Sequence, residues 1–308
     1  MIGIDVGGAN LKVVDDNGVH IHYCPLWQGA PLVPLLEQYR GAGETAAVVM
    51  SGELADCFTD KREGIAFIVD AVRQVFPGAL FYGIDAAFHT GPVPTLAAAN
   101  WLAAADWLRE EYPSSVLLDV GSTTADIIPL SPFSALKGLT DLRRLQKGYL
   151  VYTGMLRTPI ATLLSSVRLG GVETPVSTEY FATSADAHLV LGHIAVDDYT
   201  CDTPDRHEKT VGASRRRLAR VVCADLAEIG EDGAVAVAQA FWDRQRELVC
   251  RQVRRVVQGS GATGMVTAGT GAALFARACG GINLTQVLGP AADALPAFAV
   301  REVARRMQ

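Results

Sequence analysis

The sequence predicts an α/β protein with mixed sheets, built twice around one phosphate-bearing ligand. Two segments predict the duplication: Ile2-Gly3-Ile4-Asp5-Val6-Gly7-Gly8-Ala9-Asn10-Leu11-Lys12, and Val116-Leu117-Leu118-Asp119-Val120-Gly121-Ser122-Thr123-Thr124-Ala125-Asp126-Ile127-Ile128. Each reads as an apolar strand carrying an Asp, a tight turn of small residues, then a second apolar strand. Such a hairpin brings backbone N–H groups close to phosphate oxygens, an approach that glycine permits. A repeated pattern points to internal duplication. The third observation is the alternation of strand-like and helix-like segments along the chain, the mark of α/β folds.

The elements follow in order. Residues 1–24 read as a hairpin turning at Asp16-Asn17-Gly18. Pro31–Tyr39 reads as a short helix and Ala46–Met50 as a buried strand. Glu63–Phe76 is an amphipathic helix stopped by Pro77-Gly78, and Ala79–Tyr82 is a strand. Thr95–Glu111 is a strongly apolar helix closed by Tyr112-Pro113. The second hairpin opens a second domain, giving domains 1–114 and 115–308, the latter with an insertion at about 151–215. Within the insertion, 153–170 is expected to be helical and 197–213 to be a polar, mobile loop. Ser214 is expected to cap a basic helix running through Arg215, Arg216 and Arg217. A further helix over about 235–258 carries Arg244, Arg246, Arg251, Arg254 and Arg255, read as a solvated face.

With 308 residues, 49% hydrophobic and 19% charged, the chain has ample material for a large core in two lobes. Mean hydropathy is +0.21, yet no stretch approaches the roughly 20 apolar residues of a membrane span. The net charge of −6 argues against a nucleic-acid partner, whose binding surface is normally basic. The first strand starts at once, so no leader and a cytoplasmic location are expected. Six cysteines without a C-x-x-C pair are expected to be reduced, buried thiols. His188, His193, Cys201 and His207 match no structural zinc spacing. His20 and His22 alternate on a strand and are expected to share an exposed face. The high apolar content is compatible with a homodimer.

Asp5 and Asp119 are the first candidates for catalysis and for holding Mg²⁺, which prefers one or two carboxylates together with water and phosphate. The alternative is that either caps its own turn. Gly7, Gly8, Asn10, Gly121, Ser122, Thr123 and Thr124 are the candidate phosphate contacts; otherwise they form ordinary tight turns. Lys12 either neutralises a phosphate or is a surface charge. Asp126 lies between apolar residues, where a carboxylate needs a partner or a role, and is a candidate base beside Glu53. Asn100, Tyr152, Thr153 and Arg157 are candidate substrate contacts, and Asp186 a weaker one for an amine.

The two turns resemble the phosphate loops of the actin, sugar-kinase and Hsp70 superfamily. Gly264-Met265-Val266-Thr267-Ala268-Gly269-Thr270-Gly271, third in order, resembles its adenosine turn. Gly269 and Gly271 then join the phosphate candidates at a helix N-terminus. The resemblance implies two ribonuclease-H-like domains with a central cleft, and admits ATP or ADP as ligand. Several further segments are similar to a narrower family, the hydantoinase/oxoprolinase-related proteins of the tetrahydromethanopterin-linked one-carbon pathway, which includes methanofuran-biosynthesis synthases. These are Val48–Asp56, Ala98-Ala99-Asn100-Trp101, Val151–Pro159, Phe181–Asp186 and Leu189–Gly192. Ser51 and Leu11 depart from that pattern. The resemblance implies a transferase. A phenolic γ-glutamyl-tyramine or tyrosine-type acceptor attacks an aminomethylfuran-methyl diphosphate, and pyrophosphate leaves. Small-molecule kinase and ATP-binding regulatory module are the competing readings, because the fold alone does not select a chemistry.

Overall fold

The computed structural model describes residues 1–42 and 45–307. Thirteen strands are present among the described residues: β1 (Ile2–Val6), β2 (Asn10–Val14), β3 (Val19–Tyr23), β4 (Ala46–Met50), β5 (Leu80–Tyr82), β6 (Phe88–His89), β7 (Ser115–Val120), β8 (Ala125–Pro129), β9 (Leu150–Val151), β10 (Ser166–Leu169), β11 (Val172–Pro175), β12 (Gly264–Ala268) and β13 (Ile282–Asn283). The first sheet runs β3-β2-β1-β4-β5-β6 and the second β13-β12-β7-β8-β9, with β10 and β11 pairing separately. Read outward from β1 and from β7, the two sheets share one plan. In each, the first three strands are antiparallel (β1–β2–β3, β7–β8–β9). The fourth and fifth add in parallel on the other side (β4–β5, β12–β13). The duplication seen in the two turns therefore extends to five strands of each sheet, β6 being an addition to the first. This is the α/β class expected, with two mixed sheets of one plan.

Strand periodicity distributes the cores. Along β7, Val116, Leu118 and Val120 pack under the long helix Leu226–Ser260, whereas Leu117 points the other way. Leu117 and Ile128 meet Ala47 and Val49 of the first sheet through the helices Asn100–Glu111 and Leu295–Arg305. One apolar layer thus joins the two units. The outer face of the first sheet is closed by Lys61–Val75, whose Ile65, Ile68, Val69 and Val72 pack on Ile2, Ile4 and Val48. Alternation sends successive side chains to opposite faces, so both faces of each sheet are covered.

Several elements differ from expectation, each for a local reason. Residues 153–170 are not one helix: only Ile160–Leu163 is helical, and β10 follows. Gly170 and Gly171 both have positive φ, 56° and 85°, in the turn to β11, which favours a hairpin over a continued helix. The helix near 100 starts at Asn100, not Thr95, because Pro94–Leu96 is a 3-10 turn and Ala98 has φ of 48°. Thr210, not Ser214, caps the basic helix Val211–Arg220, accepting from the Ala213 N–H. Ser214 lies one turn inside and is buried. The long helix extends over Leu226–Ser260, broken at Gly230. His20 and His22 are engaged by Asp15 and Tyr39, and Ile21 is the exposed residue between them.

Two further corrections concern chemistry. Cys250 and Cys279 form a disulfide between neighbouring helices, so the six thiols are not all free. The 197–213 segment is anchored rather than loose. Asp186 is buried and accepts hydrogen bonds from Ser214, Arg217, Tyr199 and the Thr183 N–H. Arg217, also buried, donates onward to Asp205 and to the Glu208 carbonyl. Paired and fully hydrogen-bonded, this charge pair can sit in the interior, and it leaves Asp186 none of its oxygens for a substrate amine. No helix among the described residues is long and apolar enough to cross a membrane.

Candidate active site

The two hairpin turns face one another across a cleft of about 400 Å³. Their architecture is the same. Gly7 N–H donates to the Asn10 carbonyl, and Gly121 N–H to the Thr124 carbonyl, closing each turn. Carbonyls of the first turn are then taken from behind: Cys24 and Leu26 N–H donate to Ala9 and Gly8. In the second turn Met155 N–H donates to Gly121, and Leu156 and Arg157 N–H donate to Ser122. Among the described residues, the N–H groups of Gly8, Ala9, Ser122, Thr123 and Thr124 have no protein acceptor. With the carbonyls tied behind, free donors border the cleft, an arrangement suited to an anion.

Close approach makes this backing possible. A Cβ on Gly154 would lie 2.5 Å from the Thr123 nitrogen, and one on Gly52 would lie 2.8 Å from the Gly7 carbonyl carbon. Neither position has room for a side chain.

Charged groups fill the floor. Asp5 stands opposite Lys12 across the first hairpin, and Asp119 opposite Asp126 across the second. Asp5 is buried and its Oδ1 has no hydrogen-bond partner. Burial pushes the Asp5 carboxyl up to about 6, against the pull of Lys12. Burial likewise pushes Asp119 up to about 7, opposed by Lys12 and assisted by the neighbouring Asp126 and Asp5. Asp126 is raised by burial and restrained by Arg144, with which it is ion-paired. Arg144 also holds Asp141 at 2.7 Å and lies 4.5 Å over the Trp101 ring. Lys12 donates to the Asp293 carbonyl at 2.7 Å.

The cleft brings together most of the residues expected from sequence: Asp5, Gly7, Gly8, Asn10, Lys12, Asn100, Asp119, Gly121, Ser122, Thr123, Thr124, Asp126, Tyr152 and Arg157 all line it. Four others lie elsewhere. Thr153 is buried behind the turn, bonded to Thr158 and Gln245. Glu53 is buried beside Lys61 and does not line the cleft. Gly269 and Gly271 give their N–H groups to Ala292 and Val120, so only the intervening Thr270 reaches the cleft. Residues that sequence reading passed over include Arg144, Asp141, Asp198 and Asp293. Asp197-Asp198 was visible as an acidic pair, but only the anchored loop brings it to the site.

Twin turns of free N–H donors over one buried and one half-buried aspartate form a cleft suited to an anionic ligand. The model of the hydantoinase/oxoprolinase family matches residues 44–305, and the chain belongs to that family. Within it, a synthase from Methanocaldococcus jannaschii is 35% identical over 299 residues, covering 93% of this chain and 91% of that protein. Its name describes a furan-2-yl methanamine bearing a γ-L-glutamylaminoethyl-phenoxymethyl group. A protein of the same name from Methanococcus vannielii is 38% identical over 156 residues, covering 51% of this chain and 70% of its own length. Among solved structures, a ROK family glucokinase from Streptomyces griseus, in complex with glucose and AMPPNP, aligns with a TM-score of 0.45 at 12% identity over 99% of both chains. MamK bound to AMPPNP aligns at 0.40 and 14% identity, over 99% of this chain and 97% of that one.

Proposed function

We propose that the chain is a transferase of methanofuran-type biosynthesis, joining an aminomethylfuran-methyl diphosphate to a phenolic γ-glutamyl acceptor. The observation that carries this reading is the double arc of free N–H groups around Asp5 and Asp119, in a chain so similar to a synthase of that name. A new bond forms between the phenol oxygen and the furfuryl carbon. The bond from that carbon to the diphosphate oxygen breaks, its electron pair leaves with pyrophosphate, and the phenol proton passes to a base.

The free N–H groups of the two turns, with Lys12 and Arg157, would stabilise charge developing on the leaving group. Fixed donors of this kind need no reorganisation during reaction. Asp126 lines the cleft outside the Asp5–Asp119 pair, and its raised proton affinity suits it to take the phenol proton. Asn100 and Tyr152 border the space left for the acceptor. Mg²⁺ fits the donor set: Asp5 has an unpartnered buried oxygen, and two carboxylates shared with phosphate suffice for this ion. Among the described residues no cluster of three or more His, Cys, Asp or Glu forms a complete metal cage. When bound, the ion would supply further neutralisation of the diphosphate.

The test incubates the purified protein with Mg²⁺, furfuryl diphosphate and γ-glutamyltyramine, following ether mass and pyrophosphate with and without ATP. Ether and pyrophosphate in equal amounts without ATP are expected. ADP formation without ether would return the chain to the kinase or regulatory readings. Asp119→Asn is expected to lower kcat/KM by about a hundredfold or more, as loss of one electrostatic group in such a site does. Retention of activity within threefold would remove Asp119 from the mechanism.

A further inference from the structure

We propose that Trp27 is a positioning residue for the diphosphate site, acting across the cleft through Arg157. The proposal rests on the transferase reading above. Arg157 belongs to the second unit, in the segment that backs the Gly121–Thr124 turn. It lines the cleft and reaches Thr123 Oγ1 at 3.5 Å, a long contact. No carboxylate among the described residues forms a salt bridge with it, whereas Arg144 on the same cleft is paired to both Asp126 and Asp141. Its guanidinium is therefore the one that remains available for a phosphate oxygen beside Thr123.

What holds it there comes from the other unit. The Arg157 guanidinium carbon lies 4.3 Å from the centre of the Trp27 ring. Trp27 sits in the short turn Leu26–Gln28 after β3, and Leu26 N–H is itself tied to Gly8 of the first phosphate turn. Two contacts fix the same junction: Gln28 Nε2 donates to Asp202 at 2.9 Å, and Tyr23 reaches the same carboxylate at 3.4 Å. Residues 23–28 of the first unit thus meet the second unit at both Arg157 and Asp202. Stacking occupies a guanidinium face and leaves its edge donors free, so the arginine can still bind an anion in its plane. The anion site on one unit is consequently completed by an indole from the other.

The measurement is pyrophosphate binding in the presence of Mg²⁺, by calorimetry, on wild type, Trp27→Leu, Trp27→Phe, Arg157→Ala and Trp27→Leu/Arg157→Ala. Leucine keeps an apolar side chain on the loop but removes the ring face. Trp27→Leu is expected to weaken pyrophosphate about 2- to 30-fold, the range of cation–π stacking. Phenylalanine should restore part of that loss. The double variant should bind no more weakly than Arg157→Ala alone, because Trp27 acts only through the guanidinium. Unchanged affinity in Trp27→Leu, or effects that add in the double variant, would overturn the proposal. If the wild type itself fails to bind magnesium pyrophosphate, the transferase reading fails first, and this inference with it. A melting curve for each variant separates loss of fold from loss of site.

Discussion

Gly154→Ala is expected to abolish most activity, lowering kcat/KM by at least about a hundredfold, the cost of displacing reacting groups by about an ångström. The new Cβ would fall 2.5 Å from the Thr123 nitrogen, 2.6 Å from the Ser122 carbonyl carbon and 2.7 Å from the Gly121 oxygen. All three are backbone atoms of the second phosphate turn, so no flexible side chain can swing away. Either the turn moves into the cleft or the 154–157 segment retreats. Retreat would loosen the hydrogen bonds from Met155, Leu156 and Arg157 that hold the turn carbonyls. Overpacking of this kind costs about 1–3 kcal/mol, so the variant should still fold while losing pyrophosphate affinity. Gly52→Ala is the matching change behind the first turn, where the Cβ would meet Gly7 at 2.8 Å. Gly78→Ala is the control, since nothing lies within 4 Å of its added carbon. Steady-state kinetics with melting curves decide the matter: near-normal turnover in Gly154→Ala would show that the turn need not be held this closely.

The contrast between Gly154 and Gly121 explains what was legible in the sequence. Asp5, Gly7, Gly8, Asp119 and Gly121 are contiguous within single hairpins, and a hairpin is a local structure with a local pattern. The internal duplication followed from the repetition of that pattern, and the mixed sheets from strand–helix alternation. Gly154, Trp27 and Asp293 act through partners more than 30 positions distant, and Arg144 through Asp126, 18 positions away on another element, so no local period marks them. Glu53 stood out on the turn after a buried strand, and Thr153 at the end of a buried-looking one. That signal reports burial, which an internal hydrogen-bond network can satisfy without any ligand, as the Thr153–Gln245 contact does. The polar 197–213 segment misled in the same way. Its Asp205 and Glu208 serve the buried Arg217, so polarity there anchors the chain. In the 153–170 stretch, apolar content outweighed the Gly170-Gly171 turn signal, and the helix was drawn past its end.

Acidification is expected to destabilise the fold through His188, whose side chain is buried against Phe241, Trp242 and Gln245 of the long helix. Gln245 fixes its protonation. The Gln245 amide nitrogen donates to Thr153 Oγ1 and to the Gly154 carbonyl, so its oxygen must accept, and His188 Nε2–H donates to it at 2.9 Å. His188 Nδ1 is then left to accept from His193 Nδ1–H at 3.0 Å. A proton on His188 would turn this acceptor into a second donor and place a charge in the core beside Trp242 and Phe241. Burial above all, assisted by the neighbouring His193 and opposed by Gln245, therefore pulls the His188 pKa down to about 3. His193, lowered by its own burial and by Arg277, brings no compensating negative charge. Because the folded pKa lies below the unfolded value near 6.5, this contribution is complete above pH 6.5 and is lost progressively as pH falls toward 3. The full swing is of the order of a few kcal/mol. His188→Gln keeps a donor for Gln245 and cannot titrate. It is expected to be less stable than wild type near pH 7.5, where the imidazole packs best, yet to lose less of its melting temperature between pH 7 and pH 4.5. Equal losses in the two proteins would place the acid sensitivity elsewhere. Since Gln245 also braces Gly154, pyrophosphate affinity measured over the same range should fall earlier in wild type than in His188→Gln.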